Sequence, residues 1–249
     1  MADVAEFKPG GFRCVPSVFQ YSAGVAALPG HEIRRVRFAR LTPLAEGFAR
    51  AAAIIADAGR PLTALCACEL RSPAPFTEGG FRSFNEAYVV TLKDWGLFAD
   101  GFNPVARSNV CPERDPPSAP CFHAFSFTVE SASAPPTAVI SGSGEATEGG
   151  ASYQERIIRR GDTSEDAMRE KARHVLGEME RRLGRLGFGW QDTTRVQVYS
   201  VHDIHRILSE EIAPRHAARS GVTWHYARPP VQGLEFEMDC AVLGHELVA

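Results

Sequence analysis

Residues 218–239 read ARSGVTWHYARPPVQGLEFEMD, which contains two strand candidates joined by a proline turn. Residues 220–227 are rich in β-branched and aromatic side chains, and residues 234–239 alternate apolar with acidic ones, so both predict strands. The first half of the chain repeats the opening letters, because Ala-Arg-Ser stands at 106–108 and again at 218–220. Each copy follows a predicted helix and precedes a strand, and this recurrence predicts that one structural unit occurs twice.

The first half is predicted to contain two helices and three strands. Thr42 and Pro43, with Glu46 in the first turn, predict the start of a helix whose apolar side chains share one face. Ser83 and Glu86 form a capping box that predicts the start of the second helix. Strands are predicted at 62–70, 106–110 and 122–129.

The second half shows the same order of elements. Thr163 or Ser164 caps a predicted helix that stops at Gly187, and a second helix starts at Asp203. The alternating segment 194–201 predicts the strand between them.

The proline-rich segment 131–138 has the composition of a linker. We therefore predict an α+β protein with two tandem domains, residues 1–132 and 137–249. Each is expected to be a mixed sheet with two helices packed on one face.

Composition excludes several classes of protein. The 249 residues carry a formal charge of −3, so no basic excess is present to hold nucleic acid. The N-terminus does not resemble a signal peptide, and no apolar run approaches the length of a membrane span. We expect a cytoplasmic protein with reduced cysteines that binds neither nucleic acid nor membrane.

Five segments together resemble the Rid/YjgF superfamily of reactive-intermediate deaminases. VISGSGEA (139–146) is similar to the opening strand of that superfamily, TTRVQVYSVHD (193–203) to its middle, and residues 218–239 to its closing Arg-Ser, Pro and Glu-x-Glu signature. In the first half, FQYSAG (19–24) and ARSNV (106–110) match more loosely. The two-domain layout is similar to the 2-aminomuconate and 2-amino-5-chloromuconate deaminases, with the chorismatases as a competing resemblance.

The resemblance implies a fold, an activity and roles for particular residues. The fold is chorismate-mutase-like, no cofactor is needed, and the expected assembly is a homo-oligomer, a trimer by analogy. In the superfamily an arginine binds the substrate carboxylate and the closing glutamate handles a proton or water, which assigns these roles to Arg219 and Glu235. In the first half the arginine is Arg107, and His123 stands where the second half has Glu235.

The chemistry of a 2-aminomuconate fits these residue types. It is an enamine with a carboxylate at each end, and its deamination needs a fixed cation, a general acid or base, and water. Arginine binds a carboxylate with two parallel hydrogen bonds. Ser108 and Asn109 follow Arg107 and are candidates to bind a carboxylate or water, or to cap a turn.

Glu69 and Arg71 lie two residues apart on one predicted strand. They are candidates for a charged pocket shared with Arg107, with residues 72–80 as a lid, or for a simple salt bridge. The candidate catalytic residues are therefore Glu69, His123 and Glu235. Those for binding a small dicarboxylate are Arg71, Arg107, Ser108, Asn109 and Arg219.

No metal site is predicted, because the histidines lack a third ligand at suitable spacing. Three functions stay open from the sequence: hydrolytic deamination of a 2-aminomuconate-like diacid, with a chorismatase-like enzyme as its competitor; deamination of small 2-iminoacids in general; and small-molecule binding without turnover. Alternating charges on a strand also occur on any half-exposed sheet, so Glu235 and Glu237 have that simpler interpretation too.

Overall fold

The apolar stripes of the sequence lie on helices that cover two mixed β-sheets. The computed structural model describes residues 4–147 and 152–249. Within these residues the helices lie on the outer faces of the sheets, while the opposite faces of the two sheets meet each other through polar side chains. This confirms the predicted α+β class.

A six-stranded sheet is built mainly from the first half of the chain. Its order is β11-β6-β5-β7-β4-β13, with β5 parallel to β6 and β13 parallel to β4. The strands are β4 (His31–Pro43), β5 (Leu65–Arg71), β6 (Ala106–Pro112), β7 (Cys121–Glu130), β11 (Ala227–Arg228) and β13 (His245–Val248).

A seven-stranded sheet is built mainly from the second half. Its order is β1-β2-β3-β8-β12-β9-β10, with β9 parallel to β10. The strands are β1 (Ala5–Phe7), β2 (Phe12–Val15), β3 (Gly24–Ala27), β8 (Ala138–Gly144), β9 (Arg195–Tyr199), β10 (Thr223–His225) and β12 (Glu237–Val242).

Two helices cover each sheet, as predicted. On the six-stranded sheet, α1 (Leu44–Asp57) and α2 (Glu78–Asp94) bury aromatic and aliphatic side chains against β5 and β7. On the seven-stranded sheet lie α4 (Glu165–Arg185) and the short α5 (His205–Ile207), which continues as a π turn and a 3-10 turn to residue 215. A single turn, α3 (Tyr153–Arg156), precedes α4.

The start of α2 differs from the prediction. The helix begins at Glu78 with Thr77 as its cap, whose side chain accepts a hydrogen bond from the backbone of Gly80. Ser83 therefore lies inside the helix, and the capping box read from Ser83 and Glu86 was wrong. Two consecutive glycines masked the true first turn, because glycine disfavours a helix interior.

The two halves exchange strands. β1, β2 and β3 come from the first half but belong to the seven-stranded sheet, where β3 pairs with β8 of the second half. β13 comes from the end of the chain but pairs with β4 of the first half. The hydrogen-bonded sheets thus cross the predicted boundary, although the segment predicted as a linker does connect β7 to β8. The division into residues 1–132 and 137–249 stays a prediction about the duplication.

No helix within residues 4–147 and 152–249 has the length and apolar character that crossing a bilayer requires.

Candidate functional site

The two halves of the chain enclose a pair of adjoining cavities where β6 meets β8. The inner cavity is small, about 20 Å³, and the outer one is about 350 Å³. Tyr21, Phe81, Gly144 and Tyr153 line both, so the outer cavity leads to the inner one. The remaining inner lining residues are Arg107, Asn109, Gly142, Pro230 and Glu237.

Hydrogen bonds through the hydroxyl of Ser141 hold β6 against the second half at this point. The amide of Arg107 donates to Ser141 Oγ at 3.0 Å, and that hydroxyl donates to the carbonyl of Ser22 at 2.5 Å. Because Ser141 belongs to β8 and Ser22 precedes β3, residues of three segments hold the inner cavity in place.

The side chain of Arg107 lies inside a cage of aromatic rings. Its guanidinium carbon is 4.8 Å from the ring centroid of Tyr88, 5.2 Å from that of Tyr21, and 5.7 Å from those of Phe81 and Phe84. The residue is 3% exposed, and burial lowers its pKa, yet an arginine stays protonated near neutral pH. The rings stabilise the cation through their faces without neutralising it.

Two hydrogen-bond donors of residues that line the inner cavity have no partner in the part of the chain that the structure describes. These are Nη1 of Arg107 and Nδ2 of Asn109, both buried. Asn109 is oriented by Ser72, whose hydroxyl donates to Asn109 Oδ1 at 2.9 Å. Since buried donors are normally paired, this pair of atoms fits an anion that the protein binds.

Glu237, the first residue of β12, brings a carboxyl group to the same cavity. It is 4% exposed, and its pKa is raised well above the ordinary value, first by burial and then by the nearby charges of Asp239 and Glu145. Arg107 and Arg182 oppose this rise. Burial and acidic neighbours therefore favour the protonated form of this carboxyl group, which suits a proton donor.

The close approach of Glu237 to β8 requires a glycine. A Cβ atom at position 142 would overlap Oε1 of Glu237 and press on Ser108. Gly142, in the Ser-Gly segment that resembles the superfamily, thus leaves room for the acid.

Three of the predicted residues lie away from this cavity, between the two sheets. Glu69 is in register with Ser108, so it projects from the opposite face of the sheet to Arg107. Its carboxylate accepts hydrogen bonds from Arg35 at 2.7 and 2.8 Å and from Arg195 at 3.1 and 2.7 Å. Although burial opposes ionisation, the two arginines hold the pKa of Glu69 well below its ordinary value.

Arg71 and His123 belong to the same polar layer. Arg71 lies 5.5 Å from the ring centroid of Tyr199. Burial, reinforced by Arg71, lowers the pKa of His123 to about 3, so its imidazole is neutral. The structure therefore brings Arg107 and Asn109 together, and keeps Glu69, Arg71 and His123 apart from them. Ser108 is buried beside Gly142, with an unpartnered hydroxyl.

The other two predicted residues lie outside both cavities. Arg219 is exposed, and Nη1 is 3.5 Å from the carbonyl of Gln191. Glu235 contacts His202 at 2.9 Å and Arg228 at 3.5 Å. Each residue is therefore positioned by its neighbours in the second half and faces no part of the inner cavity lining.

Among the described residues, no group of three or more histidine, cysteine, aspartate or glutamate side chains is placed to hold a metal ion.

A comparison with protein families supplies the identity that the geometry alone cannot. The model of the family described as 2-aminomuconate deaminase CnbZ matches residues 4–247. The chain belongs to this 2-aminomuconate deaminase family. A curated relative from Comamonas testosteroni, 2-amino-5-chloromuconate deaminase, is 50% identical over 241 residues, which cover 96% of each chain. The family predicted from the sequence is confirmed, and with it an enzyme that acts on a carbon–nitrogen bond.

Solved structures similar to this 2-aminomuconate deaminase family member are more distant. A chorismatase has a TM-score of 0.49 and 13% identity, over 97% of this chain and 89% of the other. A Mycobacterium tuberculosis member of the YjgF/YER057c/UK114 family has a TM-score of 0.25 and 20% identity, over 43% of this chain and 79% of the other.

Sequence reasoning did not nominate Glu237 or Tyr21 for the site of this deaminase family member. Glu237 is the second acid of the Glu-x-Glu signature, and the first was chosen. Tyr21 lies within the segment FQYSAG, which resembles the superfamily, so its position was a usable signal.

Proposed function

We propose that this protein hydrolyses 2-aminomuconate or a chlorinated 2-aminomuconate, releasing ammonia, at the inner cavity formed by Arg107, Asn109 and Glu237. The observation that carries the proposal is the buried guanidinium of Arg107, whose Nη1 has no hydrogen-bond partner among the described residues. It lines the same small cavity as Glu237, a carboxyl group whose pKa is raised by burial. The name of the curated relative and the description of the family support the choice of substrate.

Arg107 and Asn109 bind the carboxylate next to the amino-bearing carbon. A carboxylate satisfies the unpartnered Nη1 and Nδ2 together, and it neutralises a cation that burial destabilises. Its negative charge further favours the protonated form of Glu237, because like charges raise the pKa of a carboxyl group.

Glu237 then transfers protons in both directions. In its acid form it protonates a carbon of the enamine, which converts the carbon–nitrogen unit to an iminium ion. The resulting carboxylate accepts a proton from water as the water oxygen bonds to the iminium carbon. A proton then moves from the new hydroxyl to nitrogen, the carbon–nitrogen bond breaks, and ammonia leaves a 2-oxo acid.

The direct test is incubation with enzymatically generated 2-aminomuconate while its ultraviolet absorbance and the released ammonium are followed. Arg107→Gln should lower kcat/KM by roughly 30- to 4000-fold, since removing one partner of a buried charge pair costs about 2–5 kcal/mol. Arg107→Lys should have a kcat/KM between those of the wild type and Arg107→Gln, because lysine keeps the charge but lacks the planar guanidinium group.

Arg107→Met controls for folding. It removes a buried cation that no acidic side chain contacts directly in the described part of the chain, so its thermal midpoint should equal or exceed that of the wild type while activity is lost. Wild-type protein that releases no ammonium, or an Arg107→Gln variant with unchanged kinetics, would contradict the proposal.

Two finer properties are proposed with this function. We expect the enzyme to act in the cytoplasm on aromatic breakdown products, and to form a homotrimer as the resemblance to the superfamily implies. Light scattering coupled to gel filtration tests the trimer.

A further inference from the structure

The wall of the outer cavity contains a second buried arginine, Arg182 of α4. It is 7% exposed. Its Nη1 donates to the carbonyls of Ser141 at 3.1 Å and Gly142 at 3.4 Å, which fixes the side chain against β8. Within residues 4–147 and 152–249 its Nε has no hydrogen-bond partner, and a carboxylate oxygen of Glu178 lies 3.9 Å from it, beyond hydrogen-bonding distance.

The charged side chains around this cavity are mainly basic. Arg82, Arg156 and Arg182 line it together with the acid Glu78, whose carboxylate accepts a hydrogen bond from the backbone of Tyr153. Arg82 is exposed and pairs with Glu86, and Arg156 is half-buried and lies over the ring of Tyr153. Of these three arginines, Arg182 is the buried one, so an anion meets least competition from water there.

Arg182 also lies close to the chemistry of the inner cavity. The carboxyl group of Glu237 interacts electrostatically with both Arg107 and Arg182. The carbonyl that Arg182 contacts belongs to Gly142, the residue that makes room for Glu237. A ligand that extends from Arg107 past Glu237 into the outer cavity therefore reaches Arg182.

We propose that Arg182 binds the far carboxylate of a dicarboxylate whose near carboxylate is held by Arg107. This assignment rests on the proposed function and deepens it. The spacing between the two arginines would determine the preference for six-carbon diacids over monoacids. Arg182 is then a substrate-binding residue contributed by the second half, opposite the arginine of the first.

Adipate and hexanoate provide a matched pair of ligands. Both are flexible six-carbon acids without an amino group, so neither undergoes deamination, and they differ in one carboxylate. In the wild type we expect adipate to bind roughly 10- to 100-fold more tightly than hexanoate by calorimetry, the range of a hydrogen bond to a charged group. In Arg182→Gln the ratio should fall close to one while the affinity for hexanoate stays unchanged.

Arg82→Gln and Arg156→Gln are the matched controls, and both should keep the wild-type ratio. The proposal is overturned if either of them abolishes the ratio, if Arg182→Gln keeps it, or if Arg182→Gln weakens both ligands equally, which would mark a structural role. If Arg182→Gln does not fold, the wild-type ratio and Arg182→Lys decide. The proposal is refuted if the wild type binds adipate and hexanoate with nearly equal affinity. It is also refuted if Arg182→Lys, which lacks the Nε–H group, keeps the full preference for adipate.

These measurements are separate from the test of the deaminase. Ammonium release from 2-aminomuconate reports on the inner cavity, whereas the adipate to hexanoate ratio reports on the second carboxylate. Loss of one result with retention of the other identifies which proposal has failed.

Discussion

Glu69 and Glu237 are buried to nearly the same extent, but their pKa values shift in opposite directions. Their exposed fractions are 5% and 4%, and both belong to strands. Glu69 is clamped by Arg35 and Arg195, which keep it ionised despite burial. Glu237 has acidic neighbours and, among the described residues, no ion pair with an arginine or lysine, so burial raises its pKa. Burial alone therefore does not determine the direction in which the pKa of a carboxyl group shifts, whereas its partners do.

The largest expected effect is on turnover, in Glu237→Gln. Glutamine has nearly the same shape but cannot give up a proton, so kcat should fall about 10²- to 10⁴-fold with little change in KM. Steady-state ammonium release measures this. A variant that keeps more than half of the wild-type kcat would assign the proton transfer to another group.

Glu69→Gln should lower the free energy of unfolding rather than the rate of catalysis. It leaves Arg35 and Arg195 close together without their shared carboxylate. Their remaining salt-bridge partner in the described part of the chain is the exposed Glu246, at 3.7 and 3.8 Å. Breaking a buried ion pair in this way costs about 3–5 kcal/mol. Urea denaturation at pH 7 measures the loss, and a change below 1 kcal/mol, on the scale of surface ion pairs, would show that the pair is not structural.

The pH dependence of stability should have opposite signs at the two glutamates. Because the folded pKa of Glu69 is depressed, its contribution is present above the unfolded value, about 4.3, and is lost as pH falls through the folded value. The folded-state pKa of Glu237 is raised instead. Its contribution to the free energy of unfolding is therefore present below the unfolded pKa, about 4.3, and is lost as pH rises through the folded pKa.

Unfolding free energies of wild type, Glu69→Gln and Glu237→Gln between pH 4 and 8 measure these slopes. The advantage of wild type over Glu237→Gln should shrink with rising pH by up to about 1.4 kcal/mol per unit, and its advantage over Glu69→Gln should grow from acid towards neutral. If the unfolding free energies of the two variants depend on pH in the same way, the two glutamates do not differ in the sign of their pH dependence.

The smallest expected effect is that of Glu235→Gln, which separates the two acids of the Glu-x-Glu signature. Glu235 is half-buried and shared between His202 and Arg228, so we expect a stability change of about 1 kcal/mol or less and a kcat within about threefold of wild type. A fall in turnover as large as that of Glu237→Gln would restore the role that the resemblance implied for Glu235.

The sequence was sufficient for the helices, for several of the strands and for the family, because these depend on local patterns. The apolar face of α4 and the Ser164 cap are confirmed, and so is the family that the closing signature indicated. Arg107 and Asn109 were nominated from the sequence, and both line the inner cavity.

The sequence could not distinguish Glu237 from Glu235 as the candidate acid, because that choice depends on which faces of the sheets meet. Acidic residues that alternate along a strand are typical of a solvated face, but β12 is buried along most of its length, and Asp239 accepts a hydrogen bond from the hydroxyl of Tyr199. Likewise, Glu69 and Arg107 are on adjacent strands but project from opposite faces, since Glu69 is in register with Ser108. The strand exchange depends on long-range pairing that no local pattern encodes.

That exchange has a consequence for the integrity of the molecule. Cleaving the backbone between β7 and β8 would leave two fragments that share both sheets, since β3 still pairs with β8 and β13 with β4. The inner cavity takes Arg107 from one fragment and Glu237 from the other. We therefore expect neither fragment to release ammonium alone, and the reassembled pair to recover that activity.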